Sequence, residues 1–163
     1  MERKMGSMEL MKTKTIVLSL ALSLAAGALC FASPAMGTWK LNEAKSKIAA
    51  GMPKNITVVY AAAGDKVKVT VDGVEKDGKP THNEWTGMFD GKDYPVTGDS
   101  SADMRAYKQI DASTLELTNK KDGKVVATGR VVISADGKTR TVTISMTDSA
   151  GKKVESTAAY DKQ

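Results

Sequence analysis

KDGKVVATGRVVISADGKTRTVTISM, residues 121–146, is the stretch whose reading decides the fold. Two β-rich runs, 124–134 and 138–147, flank Ala135, Asp136 and Gly137. Val125, Val126, Val131, Val132 and Ile133 fill the first run. The second alternates Arg140, Val142, Ile144 and Met146 against Thr139, Thr141, Thr143 and Ser145. Branched side chains suit a pleated surface, and a period of two sends one set inward and the other outward. Gly137 tolerates positive φ, so Ala-Asp-Gly suits a short hairpin loop.

Outward from this hairpin the pattern repeats. Residues 66–74 alternate Val67, Val69 and Val71 with Lys66, Lys68 and Thr70. Residues 81–89 carry Trp85, Gly87 and Phe89 on one face and His82, Glu84, Thr86 and Met88 on the other. Strands are also expected at 37–41, 56–61, 94–96, 104–110, 114–120 and 152–161, the last with Val154, Ser156, Ala158 and Tyr160 on one face. Asp-Gly recurs at 72, 77, 90, 122 and 136, four times followed by Lys, at irregular spacings that fit repeated hairpin chemistry rather than a solenoid. Asp72-Gly73 reads as a bulge within its strand. The connections are too short for crossovers, so pairing is antiparallel. Asn42 is a plausible N-cap for a short helix over 42–50, ended by Gly51 and Pro53. The expectation is an all-β, antiparallel up-and-down barrel of about 8–10 strands with one short helix near the N-terminus, because closure removes exposed edges.

Residues 16–29, IVLSLALSLAAGAL, follow Lys12 and Lys14 and precede the small-residue exit Ala32-Ser33-Pro34-Ala35. That is the pattern of a secretory signal peptide, cut after Ala32 or Ala35, with Met1 or Met11 as the start. The run is shorter than the ~20 residues a spanning helix needs, so no stable membrane span is expected after cleavage. Gly27–Cys30 resembles a lipobox, but Leu29 stands where a small residue is expected. The division is then 1–35 for leader and short mature N-terminus, and 36–163 for the barrel domain, in a secreted or periplasmic protein. Removing the leader takes Cys30, the only cysteine, so no disulfide supports the fold. It also leaves 20 basic against 17 acidic residues, a scattered balance of +3 that argues against a nucleic-acid groove.

Gly37-Thr38-Trp39-Lys40-Leu41 resembles the Gly-x-Trp opening of lipocalins and the wider calycin group, in particular fatty-acid-binding proteins. DGKDYPVTG and ADGK are similar to stretches of small exported bacterial lipocalin-like proteins. The resemblance implies a barrel whose first-strand tryptophan closes one end beneath a basic side chain from a late strand, with Arg130 and Arg140 as candidates. There are departures. The interval 42–55 holds one helix at most where fatty-acid-binding proteins have two, and 156–160 lacks their carboxylate-binding Arg-x-Tyr.

His82 and Glu84 share a strand face, but two ligands do not make a metal site, and exposed strand positions are the simpler reading. No nucleophile elbow marks a serine, and most Asp sit in turns, so no catalytic residues, metal or cofactor are assigned. Arg105 and Tyr107 share a face of their strand opposite Met104, Ala106 and Ile110. The pattern rule sends the apolar face inward and these two outward; turned inward, a guanidinium and a phenol would hold a ligand carboxylate. Trp85 and Phe89 read first as core. The functional expectation is an exported binder of a small apolar or amphipathic molecule, its site drawn from Trp39, Tyr60, Trp85, Phe89, Arg105, Tyr107 and Arg130, with Leu117 and Ile144 in the lining. The alternative is an envelope interaction or inhibitor module acting through its loops. Oligomeric state is left open.

Overall fold

Period-two alternation becomes ten antiparallel strands: β1 (Gly37–Lys47), β2 (Lys54–Ala63), β3 (Lys66–Val74), β4 (Pro80–Gly87), β5 (Tyr94–Thr97), β6 (Met104–Gln109), β7 (Thr114–Lys121), β8 (Lys124–Ile133), β9 (Thr139–Thr147) and β10 (Lys153–Lys162). The computed structural model describes residues 33–147 and 151–163. The leader, both start sites and the lipobox-like stretch lie outside the described residues, as does most of the last expected turn. Each strand pairs with the next, and β1 pairs with β10 through Trp39↔Lys162 to Asn42↔Ala159, closing an up-and-down barrel. Closure gives every described strand a partner on both sides, although β5 contributes only two pairs to each neighbour.

The connections alternate between two ends. One end gathers the β2–β3, β4–β5, β6–β7 and β8–β9 turns with the start of β1 and the finish of β10. The other gathers the β1–β2, β3–β4, β5–β6, β7–β8 and β9–β10 connections. Gly137 takes φ +68° in the β8–β9 turn, where its N–H donates to Ser134 O, as a short Asp-Gly loop requires.

No helix occurs among the described residues, which corrects the expectation for 42–50. β1 instead runs on to Lys47, with a register shift between Asn42 and Lys47. Asn42 accepts from Lys45 N at 3.2 Å, as a cap would, but also donates to Asp161 at 2.7 Å. Ser46 Oγ donates to Asn42 O and accepts from Ala159 N, at 2.7 and 2.9 Å. One or two turns of helix are marginal alone, and the segment instead bulges along β10, rejoining the ladder at Lys47↔Thr157. The bulge expected at Asp72-Gly73 lies across the ladder on β2, where Asn55 faces Gly73 and Thr57 faces Asp72. Gly73 makes room for it, since a Cβ there would lie 2.2 Å from Lys54 O.

Paired residues share a face of the sheet, so register carries inwardness from strand to strand. Tyr107, Leu117, Gly129, Ile144 and Ser156 form one such row through successive pairs. Gly129 leaves space in it, because a Cβ would meet Ile144 Cδ1 at 2.4 Å. Arg105 and Tyr107 therefore point inward and are buried, against the expectation that the apolar face of β6 would do so. Ile110 from the supposed inner face is exposed. The partner strand outvotes a weak pattern: β6 must place Tyr107 beside Leu117, and six residues carry little periodicity of their own.

Candidate functional site in the barrel lumen

The end that holds the start of β1 is sealed. Trp39 is fully buried, and its indole Nε1 donates to Ala35 O at 2.8 Å. Ala35 is itself buried, and Lys162 Nζ donates to Pro34 O, so residues 33–36 fold under the barrel as part of its base. Trp85, Phe89 and Tyr107 pack beside this base, Trp85 against Phe89 in a stack at 6.3 Å and against Tyr107 edge-on at 4.9 Å. Trp85 Nε1 donates to Arg105 O at 2.8 Å, satisfying the one polar atom of a buried indole.

Above the base lies a cavity of about 320 Å³. It reaches the opposite end, where Ile48, Met52 and Pro53 of the β1–β2 connection, Glu75, and Gly98–Ser101 of the β5–β6 loop line it. Its walls are Val58, Val71, Leu117, Val131, Val142 and Ile144, and its polar lining includes Tyr60, Asn83, Arg105, Tyr107, Asn119, Arg140 and Tyr160. Small-molecule sites combine apolar walls with fixed polar groups in volumes from about 300 Å³ upward; this lumen has that size and is richer in polar groups than most.

Two buried arginines dominate its electrostatics. Arg105 uses every guanidinium nitrogen: Nε donates to Asn119 Oδ1 at 2.8 Å, Nη1 to Asn83 Oδ1 at 3.2 Å, and Nη2 to Asp99 Oδ2 at 2.9 Å. Asp99 also accepts from Ser101 N and Oγ, which folds the loop over the cavity mouth. Gly98 allows that path: it takes φ +76°, and a Cβ there would lie 2.2 Å from His82 O.

Arg140 stands at the sealed end, second residue of β9, with 3% of its surface exposed. Its guanidinium carbon lies 4.4 Å from the Tyr160 ring centroid, 5.2 Å from Tyr60 and 5.3 Å from Trp39. Nε and Nη1 have no hydrogen-bond partner among the described residues, and none of their carboxylates forms an ion pair with this side chain. The phenols of Tyr160 and Tyr107 stay protonated. Burial pushes Tyr160 up to about 12, and burial with the adjacent Tyr60 raises Tyr107 well above its ordinary value. Tyr160 Oη donates to Asn55 O at 3.0 Å, tying β10 to β2 across the lumen.

Of the residues expected at a site, Tyr60, Arg105 and Tyr107 line the cavity together, with Leu117 and Ile144. Trp39, Trp85 and Phe89 belong to the core beneath it rather than to its lining. Arg130 is exposed on the outer face, because β8 turns its odd neighbours Val131 and Ile133 inward. The basic side chain over Trp39 is therefore Arg140, joined by Lys162 Nζ at 5.1 Å. Asn83, Asp99 and Asn119 were missed; single polar residues in a strand or loop give no signal until pairing brings them to one guanidinium. His82 is exposed, with Nδ1 2.7 Å from Asp72 and Nε2 3.7 Å from Glu84. No group of three or more His, Cys, Asp or Glu placed to hold a metal occurs among the described residues.

Neither a model of a known protein family nor any curated protein matches this sequence. The closed ten-stranded barrel is compatible with a calycin-like fold.

Proposed function

We propose that the protein is an exported, calycin-like barrel that binds a small amphipathic molecule in its lumen. The observation that supports this reading is the cavity of about 320 Å³, open at one end and lined by aliphatic walls with buried Arg105, Arg140, Tyr107 and Tyr160. A barrel built only for stability would fill that space, because empty volume in a core forfeits packing contacts. The two ends also divide the labour a carrier needs. Tryptophan, Ala35 and Lys162 seal the base, while the β1–β2 and β5–β6 connections frame the mouth. The leader-like run at 16–29 supports export.

Native mass spectrometry of protein purified from the exported compartment, followed by denaturation and organic extraction, tests this reading. A small molecule retained in the folded protein and released on unfolding is the expected result. A clean ligand-free mass, with no thermal shift from apolar or amphipathic probes, would sink it.

A further inference from the structure

Besides latching the β5–β6 loop, Arg105 decides which way two amides face. A guanidinium only donates hydrogen bonds, so each asparagine must offer it the oxygen. Asn119 Oδ1 meets Nε at 2.8 Å, and Asn83 Oδ1 meets Nη1 at 3.2 Å. Both amide nitrogens are thereby turned away from Arg105. Both side chains line the cavity, Asn83 with 8% of its surface exposed and Asn119 half-buried. Neither nitrogen has a hydrogen-bond partner among the described residues, and neither is closed off as the unpartnered atoms of Arg140 are. The mouth half of the lumen thus carries fixed N–H donors that no described residue uses.

Resting on the lumen as the binding site, we propose that its ligand is a small neutral carbonyl compound, a ketone, ester or amide, whose oxygen accepts from Asn83 and Asn119. Free donors select an acceptor, because a ligand without one would leave them desolvated and unpaired. The charge balance selects against an anion. Glu75, Asp99 and Arg105 line the cavity toward the mouth, two carboxylates against one guanidinium. Arg140 stands at the sealed end, its unpartnered nitrogens buried among rings, and offers a ligand nothing. Register sets the orientation. Arg105, Asn119, Ala127 and Met146 form one row of paired residues, and the next row toward the base runs through Leu117 and Ile144. A ligand seated on the amides therefore lays its apolar body inward, against Leu117 and Ile144, with its carbonyl nearer the mouth.

The test is isothermal titration of the protein, as purified from the expressing cell, into three probes of similar size. Benzylacetone carries a neutral carbonyl, butylbenzene has none, and hydrocinnamate puts an anion in its place. Benzylacetone should bind about tenfold more tightly than either, the worth of one or two net hydrogen bonds. That comparison needs no variant to fold. Asn83→Asp and Asn119→Asp then keep an oxygen for Arg105 and replace the N–H donors by an acceptor. In each, benzylacetone should weaken toward butylbenzene, while butylbenzene binds as before and so reports an intact lumen. Equal affinity for benzylacetone and butylbenzene would overturn the carbonyl while leaving the lumen as a binding site. Tighter binding of hydrocinnamate than of benzylacetone would overturn the neutral ligand. A ketone preference kept in both variants would overturn the role of the two amides. Binding of none of the three would overturn the inference and count against the lumen as a ligand site as well.

Discussion

Arg105 and Arg140 are buried in one lumen, yet they are held in opposite ways. Arg105 sits in a completed network, with two amide oxygens and a carboxylate meeting its three nitrogens. Arg140 rests among three rings with two nitrogens unpartnered. A saturated network fixes geometry, here tying the β5–β6 loop to β6, β4 and β7. Arg140 has its charge met by aromatic faces instead. The difference separates a guanidinium held by directed hydrogen bonds from one held by ring packing.

Breaking the saturated arginine should have the largest effect. Arg105→Met strands the buried Asp99 carboxylate and two amides, and should cost about 3–5 kcal/mol in urea unfolding. A loss under ~1 kcal/mol would show that water already screens the pair. Asp99→Asn should come next, at about 1–3 kcal/mol, because it leaves one charged donor with a weaker acceptor. It should also loosen residues 98–101, read as faster amide exchange at Ser101. Arg140→Met should cost no more than ~1 kcal/mol, since the lost contacts with rings are offset by relief of a buried, unpaired charge. A loss as large as that of Arg105→Met would erase the contrast between the two.

Gly98 sharpens the same contrast at the mouth. Gly98→Ala meets His82 O and a left-handed backbone together, and should destabilise by about 1–3 kcal/mol. Gly64→Ala, with φ +66° but nothing within 4 Å, should cost less. The smallest effect belongs to the outer wall. Hydrogen bonding to Asp72 raises the His82 pKa above its ordinary 6.5. A raised pKa means that the protonated pair stabilises the fold below the unfolded value, and that this contribution fades as pH rises through the folded one. NMR titration should show His82 above 6.5, falling back toward it in Asp72→Asn. An unshifted value in the parent chain would show the contact to be absent in solution.

Legibility differed between these regions for physical reasons. β3 and β9 were readable because strict alternation survives without neighbours: Val67, Val69 and Val71 are buried as expected, and Arg140 shares the face of Val142 and Ile144. That shared face was the one sign that an arginine would point inward. Arg105 had no such sign, since β6 is short and its apolar residues lie on the other face. Asn42 illustrates the limit of local chemistry. It caps a turn as its residue type predicts, yet that turn is a bulge in a strand that returns to β10 at Lys47.

By itself, the amino-acid sequence determined the strands and the antiparallel turns, while Trp39 was marked as a landmark of one end only by the resemblance of Gly37-Thr38-Trp39 to a Gly-x-Trp opening. The strands and turns depend on side-chain shape, on period two and on glycine at Asp-Gly loops, all of which act within a few residues. Only the tertiary structure decided which arginine is paired and which is not, that residues 33–36 belong to the base, and that the lumen keeps a cavity. Each of those depends on distances between strands far apart in the chain: Arg105 meets Asn83 across 22 residues and Tyr160 meets Asn55 across 105. Register around a closed ring sets such distances, and register is a property of all ten strands together.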